Sequence, residues 1–150
     1  MSAAPESRSL RDAAAVEPLG PGLYGAWIAD EYTVVGHPNG GYLQCLLANA
    51  ALAAASDAGS THVDATAITT NYITAPNVGL THCRTTVRRV GRSVSFVHVE
   101  LVQEGAVTTE SLVALGTLAG EATVRYLDSR VPDLARSNSA CAAPSSRRSN

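Results

Sequence analysis

The fold is decided by one stretch of the sequence, His37-Pro38-Asn39-Gly40-Gly41, and by the apolar run Tyr42-Leu-Gln-Cys-Leu-Leu-Ala-Asn-Ala-Ala-Leu-Ala-Ala-Ala-Ser56 that follows it. Pro38 and Asn39 end the preceding extended segment, and the run then propagates a helix. The first N–H groups of a helix lack an intrahelical partner and carry the positive end of the helix dipole. Two interpretations follow. Either Asn39 caps the helix and the glycines relieve crowding, or the helix start holds a carbonyl oxygen that becomes negative during acyl transfer.

The size and composition of the chain fit one ordinary domain. It has 150 residues, of which 45% are hydrophobic and 16% charged, and its formal net charge is −2. This balance, without a basic stripe, argues against nucleic acid as a partner. The longest apolar run is interrupted by Gln44 and Asn49 and is shorter than the roughly 20 residues that cross a bilayer, so no membrane span is expected.

The cysteines point to a reducing compartment. Cys45, Cys83 and Cys141 are odd in number and lack the CxxC spacing of a zinc site, so they are interpreted as free thiols. The N-terminus has no basic start followed by an apolar core, as a signal peptide would. The sequence therefore predicts a cytoplasmic protein and implies no metal or organic cofactor.

A helix followed by four strands is predicted. The helix spans residues 42–56, and alanine covers much of its surface, which lets a sheet wrap it closely. The β-prone segments are residues 63–74, 79–90, 93–103 and 106–118. Short turns join most of these segments, so consecutive strands pair antiparallel. The predicted class is α+β, with one antiparallel sheet wrapped around one central Ala-rich helix.

The chain is expected to divide into three parts. Residues 1–22 are predicted to be a flexible N-terminal arm, and residues 23–126 to form the domain. Residues 127–150 are predicted to be a disordered tail, because most of this segment is rich in Ser, Ala and Arg and has no apolar period.

Four motifs in the chain have a recognisable order and spacing. They are Pro38-Asn39-Gly40-Gly41-Tyr42-Leu43, Thr69-Thr70-Asn71-Tyr72-Ile73-Thr74-Ala75-Pro76, Val90-Gly91-Arg92-Ser93-Val94-Ser95 and Leu101-Val102-Gln103-Glu104-Gly105. Together they resemble the first hotdog repeat of TesB-like acyl-CoA thioesterases over about residues 24–120. The resemblance implies a single hotdog domain and hydrolysis of the thioester of an acyl-CoA, with a medium to long acyl group.

The catalytic triad of that family is not found in this chain. The family joins two hotdog repeats, and the Asp, Thr and Gln that organise the attacking water belong to the second. Aligned with that repeat, this chain has apolar or hydroxyl residues around Ile68-Thr69 and Val113-Ala114 instead. Single-domain hotdog enzymes often carry an Asp or Glu on the central helix, where this chain has Asn49. An amide cannot accept a proton, although it could orient a water.

Three side-chain amides are the candidate catalytic groups. Asn39, with the N–H groups of Gly40 and Gly41, is the best carbonyl polariser. Gln103, beside a turn, is either a water positioner or a solvated side chain. Asn71, midway along an apolar strand, is expected to point inward, where it contacts substrate or joins a core network.

The predicted substrate-binding residues fall into two groups. The first is the helix start, residues Asn39, Gly40, Gly41 and Tyr42. The second is Arg88, Arg89 and Arg92, which flank a hairpin. Guanidinium groups bind phosphates in bidentate fashion, so these arginines either hold the phosphates of CoA or lie in solvent.

The resemblance favours an acyl-CoA thioesterase or the binding half of one. The alternative is a non-catalytic acyl-CoA-binding or scaffold subunit, paired with a competent hotdog partner. A third possibility, a 3-hydroxyacyl thioester dehydratase, would need a His and an acid near the substrate, and no such pair is obvious. One sheet around one helix leaves an apolar face and a sheet edge uncovered, so a homodimer or larger homo-oligomer is expected.

Overall fold

The computed structural model of the protein describes residues 9–118 and Gly120. Its elements in chain order are α1 Leu10–Ala13, β1 Val16–Gly20, β2 Leu23–Ile28, a 3-10 turn Asp30–Tyr32, β3 Thr33–Val34, β4 His37–Pro38, α2 Gly40–Asp57, β5 Asp64–Tyr72, β6 Gly79–Arg89, β7 Ser95–Gln103 and β8 Ala106–Gly116. Helix α2 begins two residues earlier than predicted, because both glycines are already helical. The four strands after it lie within two residues of their predicted ends.

The strands form one antiparallel sheet of six, in the order β1-β2-β6-β7-β8-β5, and β3 and β4 form a separate short ribbon. Two-residue turns join β7 to β8 and β1 to β2, while α2 lies between β4 and β5. Within the described residues, the one long helix therefore precedes the four strands that carry most of the sheet. The predicted α+β class, with an antiparallel sheet wrapped around a central helix, is confirmed.

The core lies between α2 and one face of the sheet. Alternate side chains of the central strands are buried there, as period-2 alternation requires. The fully buried apolar residues of these strands are Cys83, Val97, Val99, Leu101, Val113 and Leu115. On the helix the buried residues are Tyr42, Leu43, Leu46, Leu47, Ala50, Ala51, Ala54 and Ala55. Alanine at half of these positions lets the helix backbone approach the sheet.

The prediction of a flexible arm over residues 1–22 is wrong for the residues from Leu10 onward. Helix α1 buries Ala13, and β1 pairs with β2 at the edge of the sheet. The short strand escaped detection because Val16–Gly20 contains a proline and lacks alternation. An edge strand tolerates proline, since one side of its backbone needs no ladder partner.

Two further sequence-based expectations concern the ends of the chain and the membrane. The predicted tail, residues 127–150, lies outside the described residues. The last described strand ends at Gly116. In the part of the chain that the structure describes, no helix is both long enough and apolar enough to cross a bilayer.

Candidate functional site

A pocket of about 460 Å³ opens at the start of α2. One wall comes from the helix start and the other from the end of β5 and the loop after it. The lining residues are Pro38, Gly40, Leu43, Tyr72, Ile73, Thr74, Ala75 and Pro76. Most of this lining is apolar, and among the described residues the only titratable side chain in it is that of Tyr72. The pocket therefore suits an apolar group that reaches a helix N-terminus.

Asn39 caps α2 at the edge of this pocket. Its Oδ1 accepts the N–H of Gly41 at 2.9 Å and that of Tyr42 at 3.3 Å. The capping interpretation is thus confirmed, and the Gly41 N–H is already engaged. Because Oδ1 faces the helix, Nδ2 faces away from it. Within residues 9–118, neither Asn39 Nδ2 nor the N–H of Gly40 has a hydrogen-bond acceptor.

Two close approaches explain the paired glycines. The hydroxyl of Tyr72 donates to the carbonyl oxygen of Gly40 at 2.8 Å, and a Cβ on Gly40 would lie 2.9 Å from the Tyr72 Oη. A Cβ on Gly41 would lie 3.2 Å from Asn39 Oδ1. Partial burial raises the pKa of Tyr72, so its phenol stays a hydrogen-bond donor at neutral pH. The glycines therefore make room for the cap and for Tyr72.

Gln103 forms three side-chain hydrogen bonds, two to the loop between β5 and β6 and one to the start of β6. Its Oε1 accepts the N–H of Asn77 at 2.7 Å. Its Nε2 donates to the carbonyl oxygens of Asn77 and Leu80, at 3.0 and 3.2 Å. The prediction of a water positioner or a solvated side chain is therefore wrong, because the backbone occupies both ends of this amide.

Asn71 does not point inward as predicted. It lies on the outer face of the sheet, away from α2, and its Nδ2 donates to Glu110 Oε1 at 3.0 Å. On the same face, His98 Nε2 lies 3.6 Å from Glu110 Oε2. Register parity is the reason, because Tyr72 and Thr70 face the helix side and the residue between them must face outward.

Tyr42 and Asn49 are anchors for the N-terminal segment. The Tyr42 hydroxyl accepts the N–H of Ala29 at 3.0 Å and lies 2.8 Å from the Ala13 carbonyl oxygen, to which it donates. Asn49 Nδ2 donates to the carbonyl oxygen of Ala14 at 2.8 Å. Tyr42 is only 3% exposed, so its side chain holds the N-terminal segment, and its contact with substrate stays a prediction. Asn49 thus uses one N–H of its amide to hold the N-terminal segment.

The three arginines lie at the other end of the sheet. Cys83 shares a row with Tyr72 across the sheet, through Leu101 and Thr109. Arg89 follows Cys83 by six positions on β6, so about 20 Å separates the two rows at about 3.3 Å per residue. Arg88 and Arg92 are close to Arg89 in the chain, and all three are exposed. The structure does not bring them to the pocket at the helix start.

A second pocket of about 460 Å³ lies on the outer face of the sheet. Its lining includes Trp27, Leu80, Asp12 and Glu17. The helical residues in its lining, Asp12 and Ala13, belong to the four-residue helix α1, and the Asp12 N–H already donates to the capping Ser9 Oγ at 3.2 Å. No group of His, Cys, Asp and Glu within the described ranges could hold a metal ion.

Sequence reasoning missed Tyr72 and the wall that follows it. The signal was present, because Ile73-Thr74-Ala75-Pro76 belongs to one of the four quoted motifs. Counting alternate residues back from Tyr72 gives Thr70 and Ile68, both half-buried on the helix side. This alternation predicts that Tyr72, and not Asn71, faces the helix.

Comparison with known proteins identifies the family. The acyl-CoA thioesterase N-terminal domain matches residues 28–119. Uncharacterized proteins of Mycobacterium tuberculosis and Mycobacterium bovis are 32% identical over 88 residues, which make up 58% of this chain and 30% of theirs. This chain thus spans about a third of the length of these curated relatives.

Solved structures agree on the fold. A putative thioesterase II from Thermobifida fusca is 29% identical, with a TM-score of 0.72 over 79% of this chain and 42% of that one. A conserved hotdog-fold protein of unknown function from Alicyclobacillus acidocaldarius is 20% identical, with a TM-score of 0.62 over 86% of this chain and 46% of that one. The resemblance to a first hotdog repeat is confirmed. The chain belongs to the acyl-CoA thioesterase N-terminal domain family.

Proposed function

We propose that this domain binds an acyl-CoA with the thioester carbonyl at the start of α2, and that it hydrolyses the thioester to a free acid and CoA. One observation carries the proposal. Two hydrogen-bond donors, the Gly40 N–H and Asn39 Nδ2, have no acceptor among the described residues and lie beside an apolar pocket. A chain of this family with such a pocket has what a thioester needs, which is an apolar site for the acyl chain and donors for the carbonyl oxygen.

The chemistry assigned to these donors is stabilisation of an oxyanion. Water attacks the carbonyl carbon, negative charge develops on the carbonyl oxygen, and the C–S bond then breaks to release the thiolate of CoA, which takes up a proton. Donors already oriented toward that oxygen lower the barrier without reorganising. The positive end of the α2 dipole adds to this effect.

The group that activates the water is not in the pocket lining. None of the lining residues named above is an Asp, Glu or His. We propose that a second copy or a partner hotdog domain supplies this base. The same observation favours the second candidate function, a non-catalytic acyl-CoA-binding subunit that completes a partner's active site.

A second copy also bears on the arginines. We propose Arg88, Arg89 and Arg92 as the phosphate-binding group for the nucleotide end of CoA, on their own subunit or on a neighbour. If so, the double change Arg88→Ala and Arg92→Ala weakens binding of acyl-CoA and leaves binding of acyl-pantetheine unchanged, because the latter lacks the nucleotide phosphates. Equal losses for both ligands would contradict this assignment.

The proposed function is tested by thiol release and by calorimetric binding over a series of saturated acyl-CoAs of increasing chain length. Turnover supports a thioesterase. Saturable binding without turnover supports the binding subunit, and the assay is then repeated with a catalytically competent hotdog partner. If the chain neither binds nor hydrolyses any acyl-CoA, both functions are refuted.

The two free thiols of the described residues, Cys45 and Cys83, are compatible with the cytoplasm as the proposed compartment.

A further inference from the structure

The wall of the acyl pocket formed by Ile73–Pro76 is a loop segment with two attachments to the sheet. At its start, the N–H groups of Ile73 and Thr74 both donate to the carbonyl oxygen of Thr108, each at 3.0 Å. Asn77 follows the segment, and the side chain of Gln103 forms two hydrogen bonds to its backbone. Within the described ranges, Gln103 is the only residue whose side chain forms a hydrogen bond to residues 73–78.

The Gln103 amide pairs with both backbone groups of one residue. The Gln103 amide accepts from the N–H of Asn77 and donates to the carbonyl oxygen of the same residue. Its second N–H donor reaches the carbonyl oxygen of Leu80, at the start of β6. One side chain thus ties the loop to β6 and to its own strand β7. A primary amide alone among the standard side chains offers an acceptor and two donors in one plane.

We infer that Gln103 is a positioning residue for acyl-CoA binding, which fixes the Ile73–Pro76 wall against the start of α2. The inference rests on the proposed function. Gln103 touches neither the pocket nor the free donors at Gly40 and Asn39, so its effect reaches the ligand through the wall alone. If the wall is already held in place, binding does not have to order this loop. Without Gln103, the free energy needed to order the loop would lower the affinity for the acyl chain.

Two variants disrupt the hydrogen bonds of Gln103 in different ways. Gln103→Met keeps the length and apolar body of the side chain and removes all three hydrogen bonds. Gln103→Glu keeps the shape and the acceptor for Asn77, but it places a carboxylate against two carbonyl oxygens. If Gln103 acts only by packing, Gln103→Met behaves like the wild type. If it acts through its hydrogen bonds, both variants lose affinity.

The expected result is selective. For the longest acyl-CoA bound, KM or Kd rises about tenfold in both variants, while kcat changes by less than about twofold. For the shortest acyl-CoA the loss is smaller, so preference among chain lengths flattens. The matched control is Thr66→Val, which removes a side-chain hydrogen bond of 3.1 Å to the Ala114 carbonyl oxygen at the other end of the sheet. It leaves the chain-length preference unchanged.

Amide hydrogen exchange without ligand measures whether Gln103 holds the loop, so it tests this role separately from the proposed function. Faster exchange at Asn77, Thr74 and Ile73 in Gln103→Met, without a matching change elsewhere in the sheet, supports the positioning role. Unchanged exchange at these amides overturns it. The inference is also overturned if the wild type binds acyl-CoA and Gln103→Met shows faster exchange at these amides but the same chain-length preference as the wild type. If the wild type binds no acyl-CoA at all, the proposed function fails, and the inferred role of Gln103 in ligand binding fails with it even where exchange shows that it holds the loop.

Discussion

At the residue scale, Asn39 combines two roles that substitutions can separate. Its Oδ1 caps α2, while its Nδ2 is directed away from the helix. Asn39→Ala should lower the free energy of unfolding by about 1 kcal/mol, the usual cost of a lost N-cap. If Nδ2 stabilises the oxyanion, thiol release should also fall by about 10² to 10³. Urea denaturation and thiol release measure the two effects independently.

The informative comparison is with Asn39→Asp and Asn39→Ser. Both variants keep an oxygen that can cap the helix, so stability should stay near that of the wild type. Both lose the amide donor, so turnover should fall. Ser9→Ala, which removes the cap of α1, is the control and should leave turnover unchanged. Wild-type turnover in Asn39→Asp would mean that the side chain serves only as a cap.

Cys83 gives the protein a predictable loss of stability at alkaline pH. Burial raises the pKa of this thiol from 9.0 to about 12. Between these values the folded chain keeps the proton and the unfolded chain releases it, so the free energy of unfolding falls as the pH rises through this range. Tyr24 adds the same trend above pH 10, since burial and its hydrogen bond to Asp57 raise its pKa to about 12.

Urea midpoints measured from about pH 8 to about pH 10.5 test this prediction. Cys83→Ala should be less stable at every pH because it leaves a cavity, but its stability should decline less steeply than that of the wild type. Cys45→Ala, at a half-buried site on α2, is the control. A slope in Cys83→Ala as steep as in the wild type would rule out the buried thiol as the cause.

At the scale of the element, alanine sets how closely α2 and the sheet approach. Ala51 is fully buried, whereas Ala53 is only partly buried against the core. Ala51→Leu should destabilise the protein by about 1–3 kcal/mol through overpacking. Ala53→Leu should cost less than about 1 kcal/mol, and both changes have nearly the same effect on intrinsic helix propensity. Thermal unfolding distinguishes them, and equal melting temperatures would contradict a close helix–sheet contact at Ala51.

Elements whose stabilising residues lie close together in the sequence could be predicted, and elements that depend on distant contacts could not. The strand at 79–89 was recognised because its alternation and flanking turns lie within the segment itself. Strand β1 was missed because it contains a proline and lacks alternation, and because the contacts that hold the segment before it come from distant residues. It pairs with β2, and the residues before it are held by Tyr42 and Asn49, 29 and 35 positions away.

The same reasoning explains the candidate site. The cap at Asn39 was foreseeable, since it depends on residues two and three positions further along. The role of Gln103 was not, because its partner Asn77 lies 26 positions earlier and is brought there by the β6–β7 pairing. Asn71 shows a third case, in which the strand was predicted and its facing was not, since an error of one residue reverses every side chain.

At the scale of the whole molecule, the sheet ends in a strand with an open side. Strand β5 pairs with β8, and no strand of the described chain pairs with its other edge. Large apolar side chains are exposed near both ends of it, with Val63 at 66% and Ile73 at 59%. An edge of this length and character favours association. Antiparallel pairing of β5 with its own copy satisfies a two-fold axis and leaves the two sheets continuous.

Such pairing predicts a dimer or larger assembly in sedimentation velocity at micromolar concentration. Thr69 is exposed and lies one residue beyond Ile68, the middle of β5, so the two copies of Thr69 would lie near the two-fold axis. Thr69→Lys should therefore set two lysines close together and shift the protein toward monomer. Thr86→Lys, the same change on the exposed side of the interior strand β6, is the control and should remain associated. A well-folded wild-type monomer would contradict the prediction. The described lining of the pocket holds no Asp, Glu or His. A monomer that still hydrolyses acyl-CoA would therefore mean that a base elsewhere in the same copy activates the water.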